Sequence, residues 1–364
     1  MKVYRSNRVE RLLDALVDVL AEPLPDPFVP EHIVVHSRGM AVWLQQQLAR
    51  RLGVWAGGAF PFPRRFLHEC FCAVLGERAG SLERYEQQSL VWSIAAALPA
   101  HLRDDAFVDL RRFLADDPRG TKALELASRI ADRFDQYVVY RPDVVLGWES
   151  GKGDDWQALL WRALADVSRP TAEPTRPTHA ATLAQELFAR LHDPGFDPSC
   201  LPERVCIFGV SSLPPFHVEI LAALARHVQV HLFVPSPSRE YWAEVRSHRE
   251  LLRQARSEST AAFDEPPAPT LLRSLGMVGR DFQQILESSV DYEEPAEDLY
   301  VEPEASTMLG VLQADLLHMR QRASEAGTTQ HVIAPDDRTI TIEACHGPMR
   351  EVEVLHDRIL GLLG

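Results

Sequence analysis

The feature that most constrains the fold is a strand–helix–strand pattern in the middle of the chain. The apolar run Val205–Val210 predicts a buried strand, Pro215–Arg226 a helix, and Val228–Val234 a second buried strand. Two strands joined by one helix at this spacing run parallel, and a parallel sheet needs helices on both faces. The chain is therefore predicted to contain an α/β domain with a parallel sheet.

The two ends of the chain carry further pieces of the same pattern. Near the start, strand Lys2–Arg5 and its helix are followed by strand His32–His36 and a helix over Met40–Arg51. Near the end, Thr339–Ala344 has the pattern of a strand, and a helix follows over Arg350–Leu363. We therefore expect these segments to belong to the sheet and its covering helices.

The segment between these pieces has the periodicity of helices. Apolar residues recur at i, i+3 and i+4, and no convincing strand interrupts them. The helical stretches are Leu90–Leu98, Leu110–Ala115, Ala123–Tyr140 and Trp156–Val167. A chain of 364 residues suits two or three domains. We predict that residues 1–58 begin the α/β domain, residues 59–199 form an all-helical insertion, and residues 200–364 continue the α/β domain.

Composition limits the cellular setting and the kind of surface. The five cysteines are scattered without a CxxC pair, which favours reduced thiols, and the start lacks the apolar core of a signal peptide. No apolar run is long enough to cross a bilayer. We therefore expect a cytoplasmic protein with no membrane contact. The net charge of −14 argues against a broad basic DNA-binding face but allows a local basic groove.

The motifs of nucleotide hydrolysis are missing from the sequence. A P-loop would follow the His32–His36 strand and needs a Gly-Lys pair followed by Ser or Thr, whereas the turn there reads Ser37-Arg38-Gly39. The one Gly-Lys pair, Gly151-Lys152, is followed by glycine. The Val205–Val210 strand leads into Ser-Ser-Leu-Pro-Pro, which offers Mg²⁺ no carboxylate. We predict no catalytic residue and no cofactor.

Other chemistries are also poorly supported. Asp143 and the segment Glu149–Lys152 have the wrong spacing for a PD-(D/E)xK nuclease, and Gly209–Leu213 is not a G-x-S-x-G elbow. His68 and Cys72 share a helix face but Cys70 points away, so a metal site is not expected there.

Two segments have the residue types of a binding surface. Phe62, Arg64 and Arg65 combine an aromatic ring with two guanidinium groups, which suits base stacking and phosphate binding, although a hydrophobic plug at a domain junction explains the same residues. Asp132, Asp135 and Gln136 share a helix face and can pair with base edges, although a solvated face is the alternative.

Several strings of residues resemble the RecC family, the gamma subunits of exodeoxyribonuclease V. The strings are Val3–Arg8, Gly39–Ala41 with Trp43-Leu44, Phe60-Pro61 with Pro63, Phe134–Tyr137, Val139–Asp143, Leu213–Pro215, Cys345-His346 and Arg350–Arg358. The resemblance runs over nearly the whole chain, and it corresponds to the N-terminal third of complete family members. It implies a superfamily 1 helicase-like fold, related to P-loop NTPases, that has lost its ATPase motifs and ends before a second helicase-like half.

The family resemblance also implies partners and a role. RecC-like proteins assemble with the RecB and RecD subunits, help to split a duplex end, guide the 3′-ended single strand and scan it for a regulatory sequence called Chi. The expected function is that of a non-catalytic, DNA-recognising part of this helicase–nuclease in double-strand break repair. An assembly module without DNA contact and a degenerate ATP-binding protein remain the alternatives.

The resemblance adds a set of positions expected to line the DNA strand. Asp132, Asp135, Gln136 and Arg141 keep the family's residues, whereas His36, Arg38, Val42, Phe62 and His68 depart from them, so the recognised sequence is not carried over unchanged. The candidate DNA-binding residues are Arg38, Phe62, Arg64, Arg65, Asp132, Asp135, Gln136 and Arg141.

Overall fold

The computed structural model describes residues 1–117, 120–165, 178–247, 250–251, 268–321 and 332–363. These residues divide into two compact units. The first unit comprises Met1–Ser236 and Leu275–Tyr300, and the second comprises Pro237–Ser274 and Val301–Gly364. The end of the helix predicted to reach Val167 lies outside the described residues.

The first unit contains a sheet of five parallel strands. In chain order the strands are β1 (Lys2–Ser6), β2 (Glu31–Val34), β3 (Gly58–Ala59), β4 (Arg204–Phe208) and β5 (Gln229–Pro235). Their order across the sheet is β1-β5-β4-β2-β3, and every pairing is parallel. This confirms the predicted α/β class with a parallel sheet.

Helices make up most of the rest of the first unit. They are α1 (Val9–Leu20), α2 (Arg38–Leu52), α3 (Pro63–Leu75), α4 (Gln87–His101), α5 (Val108–Leu114), α6 (Thr121–Tyr140), α7 (Pro142–Glu149), α8 (Trp156–Leu164), α9 (Ala180–Leu191) and α10 (Pro215–Leu224). The second unit and the return to the first add α11 (Thr270–Leu275), α12 (Met277–Ser289), α13 (Met308–Leu317) and α14 (Pro348–Leu363). None of the helices in the described ranges is long and apolar enough to span a membrane.

Alternating side chains of the central strands build two cores, one on each face of the sheet. Ile33 and Phe208 pack with α1 and α2 on one face. Val34 and Ile207 pack with α3, α9, α10 and α12 on the other face. The chain leaving β2 therefore enters a helix on one face, and the chain leaving β4 enters a helix on the opposite face. In an open α/β sheet this divergence leaves a crevice at the carboxyl ends of the two strands.

Helices α4, α6, α7 and α8, which lie between β3 and β4 in the chain, have a core of their own. Phe134 of α6 and Trp161 of α8 are fully buried, and their rings meet edge to face with centroids 5.3 Å apart. Trp148 of α7 joins the same aromatic cluster, with its ring centroid 5.9 Å from that of Phe134. Aromatic burial of this kind holds α6 firmly, so the opposite side of α6 can carry exposed polar residues.

The prediction of a strand over Thr339–Ala344 is wrong. These residues have no regular secondary structure, and Ile342 is 93% exposed. A strand needs a neighbour to accept its backbone hydrogen bonds. All five strands lie in the first unit, and the described residues of the second unit contain none.

A buried ion pair joins β4 to β2 at the amino end of the sheet. Arg204 is 4% exposed and forms a two-pronged contact with Glu31, with its Nε 3.1 Å from Oε2. The same guanidinium donates to the carbonyl oxygens of Val19 at 2.7 Å and Glu22 at 2.9 Å. Arg204 thereby connects the central strand pair to the end of α1.

Replacing Arg204 by alanine is expected to lower the free energy of unfolding by about 3–5 kcal/mol, because it leaves Glu31 as an uncompensated, largely buried charge. Urea denaturation measures the effect. The double variant Arg204→Met with Glu31→Leu is expected to lose less of the free energy of unfolding than Arg204→Ala, since it removes both charges. A loss under about 1 kcal/mol in Arg204→Ala would show that the pair does not hold the strands together.

Candidate functional site

A cleft of about 400 Å³ lies where α3, α6 and the start of α10 meet. Its walls are largely apolar and aromatic, and its charged residues come from α3, α6 and the start of α4. The lining residues used below are Phe62, Arg64, Arg65, His68, Phe71, Tyr85, Glu86, Asp135, Phe216 and His217.

The cleft lies beside the crevice at the carboxyl ends of β2 and β4. Phe216 and His217 begin α10, which follows β4. Phe62 follows β3 and immediately precedes α3, and the carbonyl oxygen of Pro61 accepts a hydrogen bond from Val35 after β2. The ends of three neighbouring strands thus bring these side chains together, as expected for a ligand site of an open α/β sheet.

Gly209 allows the chain to turn at the end of β4. Its φ of +67° lies in the left-handed region, and a Cβ added there would come within 3.3 Å of the Met40 Cε. The Gly209 amide still donates to the Phe233 carbonyl oxygen. A larger residue would strain the backbone, and the end of the Met40 side chain would have to shift by a few tenths of an ångström.

The turn after β2 caps its own helix. The Ser37 hydroxyl accepts a hydrogen bond from the Met40 amide at 3.1 Å, and α2 begins at Arg38. A phosphate bound to a P-loop would take its hydrogen bonds from amides at this position. A serine side chain satisfies one of those amides instead.

Four of the predicted DNA-binding residues line the cleft. Phe62 is 42% exposed and lies at the start of α3, followed by Arg64 and Arg65 in the first helical turn. Asp135 approaches from α6, and both of its oxygens contact Arg64, at 2.8 and 3.1 Å. The Arg65 Nε donates to Glu69 of its own helix at 2.9 Å. Two predicted groups that are far apart in the sequence therefore meet at one site.

The other four predicted residues lie outside the lining of this cleft. On α6, Gln136 donates to Asp132 at 3.0 Å, so the two form a polar patch adjoining Asp135. Arg141 ends α6, and its hydrogen bonds to Asp143 raise the pKa of Arg141 and lower that of Asp143. Arg38 is exposed at the start of α2.

Sequence reasoning did not identify the residues of the cleft's inner wall as a site. Phe71, Tyr85 and Phe216 are each less than 9% exposed and supply aromatic surface. His217, which was not predicted, and His68, which the family resemblance had placed along the DNA strand, also line the cleft, and each ring has one buried nitrogen without a hydrogen-bond partner among the described residues. The signal that could have identified His217 is its place just after a strand's carboxyl end.

His68 and Cys72 were considered as metal ligands in the sequence. The His68 Nδ1 and Cys72 Sγ atoms lie 3.7 Å apart. Within the described ranges, no three His, Cys, Asp or Glu side chains are grouped to hold an ion.

The cleft keeps His217 uncharged at neutral pH. Burial, together with the charges of Arg64 and His36, lowers the pKa of His217 to about 4. A neutral imidazole has one donor and one acceptor nitrogen, so this side chain can pair with a polar ligand without adding charge.

The lowered pKa of His217 predicts a pH dependence of stability. Because the unfolded chain binds a proton near pH 6.5 and the folded chain only near pH 4, His217 favours unfolding as the pH falls through this window. We expect the melting temperature of His217→Gln to fall less than that of the parent between pH 6.5 and 4. Thermal denaturation across this range measures it, and equal losses in the two proteins would contradict the assignment.

Comparison with known proteins identifies the family. A family model described as RecC, N-terminal domain, matches residues 1–319. The RecBCD enzyme subunit RecC of Escherichia coli K12 is 34% identical over 403 aligned residues, covering 100% of this chain and 35% of the relative. Those of Haemophilus influenzae and Mycolicibacterium smegmatis are each 32% identical, covering 99% and 100% of this chain and 36% and 32% of the relatives. The chain thus spans about a third of the length of these relatives, and it belongs to the RecC family.

Proposed function

We propose that the cleft and the adjoining polar patch of α6 bind single-stranded DNA, and that the chain is a non-catalytic recognition part of a RecBCD-type helicase–nuclease. The observation that carries the proposal is the meeting of Phe62, Arg64, Arg65 and Asp135 in one cleft at the carboxyl edge of the sheet. An aromatic ring, guanidinium groups and a carboxylate can together bind a base face, phosphates and a base edge.

The charge distribution supports a narrow contact with DNA. The chain has a net charge of −14, so non-specific attraction to phosphate is weak over most of the surface. Arg64 and Arg65 at the start of α3 are the cations beside Phe62, and each is paired with a carboxylate, Asp135 and Glu69 respectively. A strand bound there would have its backbone held locally while a base contacts the cleft.

The proposed fold assignment is a superfamily 1 helicase-like domain without its ATPase motifs. The α2 turn and the end of β4 lie on neighbouring strands, as the two phosphate-binding motifs of such a domain would. Neither position supplies the lysine or the carboxylate that hydrolysis needs. We therefore assign any ATP or nuclease chemistry to partner subunits and not to this chain.

The proposed biological role follows from the relatives' names. Several relatives are RecBCD enzyme subunits, so we propose RecB and RecD as partners, double-strand break repair in the cytoplasm as the setting, and guidance of the 3′-ended strand as the task. Scanning for a Chi-type sequence is part of the proposal. The base read here is expected to differ where Phe62 and His68 replace the family's residues.

One observation favours a role in assembly as well. Helix α14 has no buried residue, and its apolar side chains Val352, Leu355 and Ile359 are 62%, 59% and 48% exposed. An exposed apolar stripe of this kind is typical of a protein–protein contact. A pure assembly module would have this stripe but would not bind DNA at the cleft.

The proposal predicts that Phe62→Ala weakens binding of a short single-stranded oligonucleotide at least about fivefold, since losing one stacked base costs about 1 kcal/mol or more. Fluorescence anisotropy measures the affinity. Phe28→Ala is the matched control, because Phe28 is also an exposed phenylalanine (93%) but lies in the loop before β2. This substitution is expected to leave the affinity unchanged. Absence of any binding by the parent protein would favour the assembly module.

A further inference from the structure

A two-pronged ion pair joins two walls of the cleft, α3 and α6. The Arg64 Nη2 lies 2.8 Å from the Asp135 Oδ1, and the Arg64 Nη1 lies 3.1 Å from the Asp135 Oδ2. Arg64 belongs to α3 and Asp135 to α6, 71 residues further along the chain. The pair therefore connects α3, which packs on the sheet, to α6, which belongs to the core that α4, α6, α7 and α8 share.

This pairing occupies both groups with each other. The fork uses two of the five guanidinium N–H donors and one lone pair on each carboxylate oxygen, and the two opposite charges neutralise each other. Neighbouring Arg65 differs, because its bond to Glu69 lies within α3 and does not join α3 to α6. A strand entering the cleft thus meets a site whose two complementary charges already cancel.

The exposure of the pair shows that it can open at small cost. The Arg64 side chain is 56% exposed and that of Asp135 is 23% exposed. Ion pairs that reach solvent in this way contribute little to stability, since water and salt screen them. The long side chain of Arg64 can leave Asp135 without disturbing the packed side of α6.

We propose that Arg64 and Asp135 exchange partners when single-stranded DNA binds: the guanidinium moves to a backbone phosphate while the carboxylate accepts an N–H from a base edge. This inference rests on the proposed function of the cleft. No covalent bond changes, and each hydrogen bond broken within the pair is replaced by one to the nucleotide.

The exchange makes the site selective for a ligand that carries a base and a backbone phosphate at once. A phosphate without a base would free the Asp135 carboxylate with nothing to accept from, next to the negative phosphate. A base without a phosphate would leave the Arg64 guanidinium, which is 56% exposed, with only water in place of Asp135. A nucleotide within a DNA strand provides a partner for Arg64 and for Asp135. Arg64 therefore competes with the ligand for Asp135, and a base alone or a phosphate alone displaces it poorly.

The test compares two strands of equal length, oligodeoxycytidine and the corresponding abasic strand. In the whole 364-residue chain, Asp135→Asn frees Arg64 and is expected to raise the affinity for the abasic strand about two- to fivefold. The double variant Arg64→Ala with Asp135→Asn is expected to bind the abasic strand no better than Arg64→Ala alone. Arg64→Ala is also expected to make the salt dependence for oligodeoxycytidine shallower by about 0.7 in log affinity per log salt.

Glu86→Gln is the matched control for general electrostatics. Glu86 lines the same cleft, and among the described contacts Arg64 pairs with Asp135 and not with Glu86. Any gain in affinity for the abasic strand from Glu86→Gln is therefore expected to be the same with Arg64 and with Arg64→Ala. Thermal unfolding establishes that each variant is folded, and Asp135→Ala replaces Asp135→Asn if the latter is not.

The outcomes separate this inference from the proposed function. An unchanged abasic affinity in Asp135→Asn, or a gain that persists after Arg64 is removed, overturns the exchange while DNA binding itself stands. A parent protein that binds neither strand overturns the proposed function and the exchange together. A gain in abasic-strand affinity that Asp135→Asn shows only when Arg64 is present supports the exchange and the proposed function.

Discussion

The pairing of β2 with β4 is the constraint on which the rest of the first unit depends. The strands are far apart in the chain, and the Arg204–Glu31 ion pair that joins them spans 173 residues. After β3 the chain must leave the sheet and return to it at β4, and the helices with their own aromatic core lie in this excursion. The same pairing sends α2 and α10 to opposite faces, and the cleft lies next to their point of divergence.

The sequence predicted those parts of this arrangement that depend on local pattern. The sequence predicted β4 and β5 from their apolar runs and α6 from its periodicity. Burial on both faces of a strand requires consecutive apolar residues, and burial on one face of a helix requires apolar residues at helical spacing. The two-residue strand β3 leaves no such trace, since Gly58 and Ala59 have no strand propensity. Thr339–Ala344 had the pattern of a strand but no neighbour to pair with among the described residues.

The candidate site was partly predictable for the same reason. Phe62 and Arg64 stood out by composition and Asp135 by helix spacing, but only the fold shows that Arg64 and Asp135 touch. His217 and Phe216 carried no chemical signature in the sequence. Their role depends on a tertiary fact, the position of α10 at the carboxyl edge of the sheet. Residues of this kind can be predicted only once the strand order is known.

Hydrogen exchange with and without ligands tests the central claim, that the carboxyl edge of the sheet binds a DNA strand and not a nucleoside triphosphate. The account predicts that single-stranded DNA slows amide exchange at the start of α3, along α6 near Asp135 and at the start of α10. It predicts that Mg²⁺-ATP leaves the Ser37–Ala41 turn unchanged. Protection of that turn by Mg²⁺-ATP, with no protection of α3 or α6 by DNA, would contradict it.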